Sequence, residues 1–232
     1  MTQWVFQPES ATALSVAESD RLFPVRRVYC VGRNYAEHAR EMGESTREAP
    51  FFFTKPANSI VSVPENREGL VSYPPRTEDL HHEVELVVAL GAGGSNLNLE
   101  QAEKAIWGYA VGVDLTRRDL QAAAKEKGRP WDVAKGFDQA APIGSLYPRG
   151  ETGPLENGHI SLEVNGTRRQ QGDLADMIWS AAECIVELST YFELKAGDIL
   201  MTGTPAGVAA LQKGDHVLAS IQRIGQLSFR VQ

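Results

Sequence analysis

The chain has 232 residues, 42% of them hydrophobic and 23% charged, enough to form a real core in one large or two small globular domains. Its formal charge of -7 argues against a general nucleic-acid surface, which needs clustered basic side chains. Apolar stretches such as 86–90 are far shorter than the roughly 18 to 20 residues of a membrane span, and no basic-then-apolar leader opens the chain, so no membrane association and a cytoplasmic location are expected.

Residues 1–24 carry Pro8, Asp20 and Pro24 with no sustained period and read as a short N-terminal segment lying on the main body, residues 25–232. Val28 to Val31 is a compact apolar run ending at Gly32, and Tyr35 to Met42 has helical composition with Gly43 as its stop. Cys30 in that run and Cys184 far downstream lack CxxC partners and read as buried free thiols. Glu83 to Leu90 alternates and is rich in Val, and Ile106 to Asp114 is aromatic and β-branched, so both predict strands. After Asp114, Thr116 is placed to cap a helix whose third residue is Asp119 and which stops near Gly128.

In the last third, Ile160 to Val164 and Thr167 to Gln171 flank Asn165-Gly166, a strong hairpin signal. Ser180 and Glu183 form a capping box opening a helix with Ile185, Leu188 and Phe192 on one side. Strands follow at Ile199 to Thr202 and His216 to Val231, broken by Gly225. Many strands and few short helices, without the regular alternation of a doubly wound sheet, predict a β-rich α+β fold.

The chemistry is concentrated in carboxylates. Glu83 and Glu85 lie at i and i+2, which in a strand puts both on one face, with Val87 and Ala89 continuing it and Val84, Leu86 and Val88 opposite. Unpaired anions leading into a buried strand would cost several kcal/mol each in effective terms unless a cation compensates. Asp114, at the end of the next strand, completes a set of three oxygen ligands with open positions left over. Such a set suits Mg²⁺, Mn²⁺ or Ca²⁺ better than Zn²⁺.

Seven ordered segments carry a resemblance. They are Cys30-Val-Gly-Arg-Asn-Tyr-Ala-Glu-His38-Ala-Arg-Glu41-Met, Phe53-Thr-Lys55-Pro56, His81-His-Glu-Val-Glu-Leu86, Gly112-Val-Asp114-Leu-Thr, Asp119-Leu-Gln121, Ala134-Lys135-Gly-Phe137-Asp138 and Thr202-Gly-Thr204-Pro205. From about Val25 onward the chain resembles the fumarylacetoacetate hydrolase family, in its small bacterial branch of acylpyruvate and fumarylpyruvate hydrolases. The resemblance implies a mixed β-sandwich-roll, a homodimer, and one Mg²⁺ or Mn²⁺ at Glu83, Glu85 and Asp114. It also implies a water-activating dyad of His38 and Glu41, whose i, i+3 spacing shares a helical face, and a charge-stabilising Lys135. His81 and His82 are assigned supporting roles beside the ligands, and His159 and His216 structural ones.

The expected reaction is hydrolysis of the C3–C4 bond of a small acidic 2-oxo substrate, a 2,4-dioxo acid, giving pyruvate and a carboxylic acid. The metal polarises the 2-oxo group, His38 takes a proton from water, and backbone amides around Thr202 and Gly203 receive the C1 carboxylate. Three carboxylates and one divalent ion sum to -1, so a dianionic substrate needs further cations. Arg33 and Lys55, inside matched segments, are placed ahead of Arg118 for that task, with Gln121 beside them in substrate binding. The Phe51-Phe52-Phe53 run is core or wall of the acyl pocket. The rival readings are oxaloacetate decarboxylation at the same metal site, a hydroxymuconate-type hydratase or decarboxylase, and a non-catalytic protein that keeps a metal for folding.

Overall fold

The computed structural model describes residues 3–35 and 48–232. The expected helix after Tyr35 and the His38–Glu41 pair lie outside the described residues. The centre of the molecule is an eight-stranded mixed sheet. Its main path runs in space through Phe51–Lys55, Arg27–Gly32, Asp198–Met201, Val84–Leu90, Ile106–Val113, Ala141–Ile143 and Ile60–Ser62, and Tyr147–Pro148 adds to Ile106–Val113. Arg27–Gly32 runs parallel to Asp198–Met201, and Ala141–Ile143 parallel to Ile60–Ser62; the other neighbours are antiparallel. A five-stranded sheet, Thr167–Asp173, His159–Val164, His216–Ile221, Gln226–Val231 and Glu68–Val71, packs against it.

The central strand Val84–Leu90 is buried throughout, so both its faces meet core. Val84, Leu86, Val88 and Leu90 pack with Ile160, Leu162, Val217 and Phe229 of the second sheet. Val87 and Ala89 face the other way, with Cys30, Ala110, Met201 and, from the N-terminal hairpin Ala13–Ser15 and Leu22–Pro24, Leu14 and Phe23. The period of two therefore assigns Glu85 to the face of Val87. The same rule assigns Asp114, two residues past Gly112 and four past Ala110, to that face. Gly112 stands directly across from Glu85, and a Cβ there would sit 2.5 Å from Val87 Cγ2, so only glycine lets these two strands carry this packing.

The Asn165-Gly166 hairpin forms with both residues at positive φ, 52° and 74°, as a type I′ turn requires. The Ser180 capping box forms in both directions and opens helix Ala181–Tyr191. The expected cap at Thr116 does not form. Thr116 pairs with His81 in a short strand, its hydroxyl accepts from Lys135 Nζ at 2.6 Å, and the helix begins only at Arg118. Asp119, expected to complete that cap, is occupied by Thr77 Oγ1 at 2.6 Å and the amide of Glu78 at 3.1 Å. Tertiary partners outcompete a local cap here. Cys30 and Cys184 are buried free thiols, and burial pushes both upward from the usual thiol range.

Candidate metal centre

Glu83 lies in the one-residue break between strands Leu80–His82 and Val84–Leu90, Glu85 one pleat further on, and Asp114 just past the end of Ile106–Val113. Each offers an oxygen, and these three atoms lie within 4.8 Å of one another, with the residues 6%, 2% and 0% exposed. Three anions this close and this dry demand positive charge. Burial, and then Asp114 and Glu83, push the Glu85 carboxyl well above the usual carboxylate range.

Three cations meet the carboxylates. Lys135 Nζ donates to Glu83 Oε2 and Asp114 Oδ2, both at 2.8 Å. Burial pulls the Lys135 ammonium down, but Asp114 and Glu83 outweigh it and hold its pKa above the ordinary lysine value. Arg118 Nη2 donates to Glu83 Oε1, and its Nη1 donates to Gln121 Oε1 at 2.5 Å. Lys55 Nζ lies 2.8 Å from Asp114 Oδ1 without hydrogen-bond alignment, so that buried oxygen has no donor. A buried carboxylate oxygen without a hydrogen-bond donor, beside a carboxyl that burial and its anionic neighbours make hard to ionise, fits a hard divalent cation bound by Glu83, Glu85 and Asp114.

A supporting network fixes the ligands. Gln170, wholly buried, accepts from His82 Nδ1 at 2.8 Å and Val84 N at 3.1 Å, and donates to Thr204 Oγ1 at 2.8 Å and the Pro205 carbonyl at 2.9 Å. Because its amide nitrogen faces two acceptor sites, its oxygen faces His82, which therefore carries its proton on Nδ1. Burial drives the His82 pKa down to about 4. His81 Nε2 pairs with Asp79 at 2.8 Å while Arg118 Nε donates to its Nδ1 at 3.4 Å, so His81 steers Arg118 rather than touching an ion.

The expected substrate-binding residues fall in different places. Lys55 is buried beneath Asp114, also donating to the carbonyls of Leu115 and Lys135, and does not line the cleft. Arg118, placed behind it from sequence, does. The amides expected to receive a carboxylate are already engaged: Thr202 N donates to Leu86 O at 3.1 Å and Gly203 N to Glu85 Oε2 at 2.8 Å. Gly203, with φ of +94°, makes that turn onto Glu85, and a Cβ there would meet Asn34 Cβ at 2.8 Å. Asn34 holds the turn by donating to the Thr202 carbonyl at 2.8 Å. Arg33 and Gln121 do line the cleft, together with Phe53, Thr204 and two residues that sequence reasoning missed, Lys125 and Trp131. Trp131 packs against Phe51 and Phe53 at ring-centroid distances of 5.3 and 5.8 Å; of the aromatic run only Phe53 walls the cleft, while Phe52 packs against the core and Tyr191. Its place in the Gly128–Trp131 turn carries no periodic signal that could have marked it.

The family model for the fumarylacetoacetate (FAA) hydrolase C-terminal domain matches residues 27–232. The oxaloacetate tautomerase of Escherichia coli is 45% identical over 196 residues, covering 84% of this chain and 88% of that one. A fumarylpyruvate hydrolase from a Ralstonia species is 40% identical over 192 residues, covering 83% and 97%. Among solved structures, fumarylpyruvate hydrolase from Pseudomonas aeruginosa in complex with Mn²⁺ and pyruvate superposes with a TM-score of 0.97 at 51% identity, covering 99% of each chain.

Proposed function

The chain belongs to the fumarylacetoacetate hydrolase family, and from that premise we propose that it hydrolyses the C3–C4 bond of an acylpyruvate, with fumarylpyruvate as the substrate that fits best. The observation that carries this reading is the dry triad of Glu83, Glu85 and Asp114 set under a cationic cleft. With Lys55, Lys135 and Arg118 counted, the centre is formally neutral before any ion enters, so a divalent ion leaves it positive enough to match a dianion. The similarity to a fumarylpyruvate hydrolase solved with Mn²⁺ and pyruvate supports both the substrate class and the ion. Mg²⁺, equally hard, suits the same three oxygens.

Held by the three carboxylates, the ion supplies Lewis-acid polarisation of the 2-oxo group. Lys135 Nζ, between Glu83 and Asp114, places a fixed positive charge where enolate charge develops. Thr204, whose oxygen already accepts from Gln170, has its proton left to donate to the C1 carboxylate, the task first given to the amides of Thr202 and Gly203. Arg33 and Gln121 border the same cleft and orient the substrate. By the resemblance, His38 paired with Glu41 takes a proton from water as the water oxygen bonds C4; the C3–C4 bond then breaks, C4 leaves as the carboxylic acid, and the electron pair passes to the enolate, which takes a proton at C3 to become pyruvate. The resemblance supports the remaining features of this reading, a homodimer in the cytoplasm with residues 1–24 preceding a catalytic domain.

A second reading, chemistry on oxaloacetate without an attacking water, is supported by the similarity to the E. coli tautomerase. The two are separated with purified Mn²⁺- or Mg²⁺-loaded protein offered fumarylpyruvate, acetylpyruvate and oxaloacetate. A positioned base contributes roughly 10²- to 10⁴-fold to rate, so His38→Ala loses about that much acylpyruvate hydrolysis. Wild-type protein that ignores every acylpyruvate while converting oxaloacetate would replace the first reading by the second.

A further inference from the structure

Helix Arg118–Glu126 turns Arg118, Gln121 and Lys125, at i, i+3 and i+7, toward the cleft. Arg118 is committed to Glu83 at the metal centre, and Gln121 receives its second nitrogen. Lys125 stands two turns further on, roughly 10 Å along the helix axis from Arg118. That offset suits the far end of an extended substrate whose 2-oxo acid is held at the centre.

Lys125 is half-buried, with Nζ 5.5 Å from the centroid of the Trp131 ring. Among the described residues it makes no ion pair, and burial and then the like charges of Arg33 and Arg118 pull its pKa below the ordinary lysine value. Arg33, by contrast, lies in the field of Glu48 and stacks over Phe51 at 5.4 Å. A lysine packed on an indole and facing a cleft, with Arg33 and Arg118 outweighing the field of Glu83 and no ion pair among the described residues, is a charge whose complement is an anionic ligand. On a protein of net charge -7, such a site is a local construction rather than a consequence of composition.

We propose that Lys125 binds a second, remote carboxylate on the acyl group, so that the cleft selects acylpyruvates that are dianions over those with an uncharged acyl end. Phe53 and Trp131 flank the path between the two carboxylates and suit a flat, unsaturated acyl chain. The inference rests on the acylpyruvate hydrolase reading. It deepens that reading by naming the residue that reads the acyl carboxylate and so sets the selectivity among acylpyruvates.

The test uses full-length Mn²⁺-loaded protein and Lys125→Met, which keeps the packing on Trp131 and removes the charge. A hydrogen-bonded ion pair of this kind is worth on the order of 10- to 100-fold, so the ratio of kcat/KM for fumarylpyruvate to that for acetylpyruvate falls by about that factor, mostly through KM. Lys125→Arg recovers most of the ratio. In parallel, calorimetry with fumarate and with acetate measures binding without turnover, and only fumarate weakens in Lys125→Met. An unchanged ratio, or an equal loss for both substrates, overturns the proposal. If wild-type protein hydrolyses neither substrate, the hydrolase reading fails separately. Fumarate binding then decides the role of Lys125 alone, unchanged affinity in the variant refuting it.

Discussion

Gln170 supports the centre's geometry through four hydrogen bonds without contacting the carboxylates themselves. Replacing it with Met keeps the length of the side chain and removes four hydrogen bonds, to His82, Val84, Thr204 and Pro205. The Thr204 hydroxyl can turn to another partner. The His82 Nδ1–H, the Val84 amide and the Pro205 carbonyl are left buried and unanswered. Each such group costs about 1–3 kcal/mol, so with some relaxation Gln170→Met loses roughly 3 to 6 kcal/mol, a large part of the roughly 5–15 kcal/mol that holds a typical native fold. Urea unfolding measures it as a lower midpoint at unchanged slope. The loss reaches the chemistry because Gln170 ties the turn at Gly203 and Thr204 to the strand bearing Glu85, which itself accepts from Gly203 N at 2.8 Å. Mn²⁺ affinity, read by calorimetry on the folded variant, therefore falls by about the 10- to 100-fold typical of an outer-shell partner. A destabilisation below about 1 kcal/mol with unchanged metal affinity would refute the reasoning.

Glu85→Gln retains an acceptor for Gly203 N but removes an anion. Mn²⁺ affinity by titration calorimetry drops by more than the roughly 10- to 100-fold of an outer-shell change, with the fold intact, and equal affinity would remove Glu85 from the ligand set. Lys135→Met lowers acylpyruvate turnover by about 10²- to 10³-fold, while Mn²⁺ binding is no weaker because a competing cation has left Glu83 and Asp114. Turnover at the wild-type rate would make Lys135 purely structural. His82, held at about 4 against an ordinary 6.5, stays neutral in the fold while the unfolded chain takes up a proton. Its contribution is fully present above 6.5 and is lost as pH falls toward 4, by up to about 3 kcal/mol. Unfolding curves across that range show a shallower pH dependence for His82→Asn, and identical slopes would contradict the buried neutral imidazole.

How much of this was legible in the residues themselves depends on the range of the interaction. The pairing of Glu83 with Glu85 is local: a strand repeats every two residues, and Val87 and Ala89 continue the same face into the core. Asp114 follows because another strand ends there. The Asn165-Gly166 turn and the Ser180 capping box are equally local, and both form.

Roles that depend on which elements meet were decided only by the tertiary structure. Lys55 and Arg118 are indistinguishable by charge. The pairing of Phe51–Lys55 with Arg27–Gly32 turns Lys55 under Asp114, whereas the pairing of Thr116–Arg117 with Leu80–His82 delivers Arg118 beside Glu83. Thr116 looks like a helix cap to a reader of its neighbours, but it is claimed by Lys135, nineteen residues further along the chain. Gln170 sits in a strand that reads as exposed and polar, yet it is wholly buried because the turn at Thr204 and Pro205 folds over it. Strand period and turn chemistry are written in neighbouring residues. Hydrogen-bond partners separated by tens of residues exist only once the sheets have assembled.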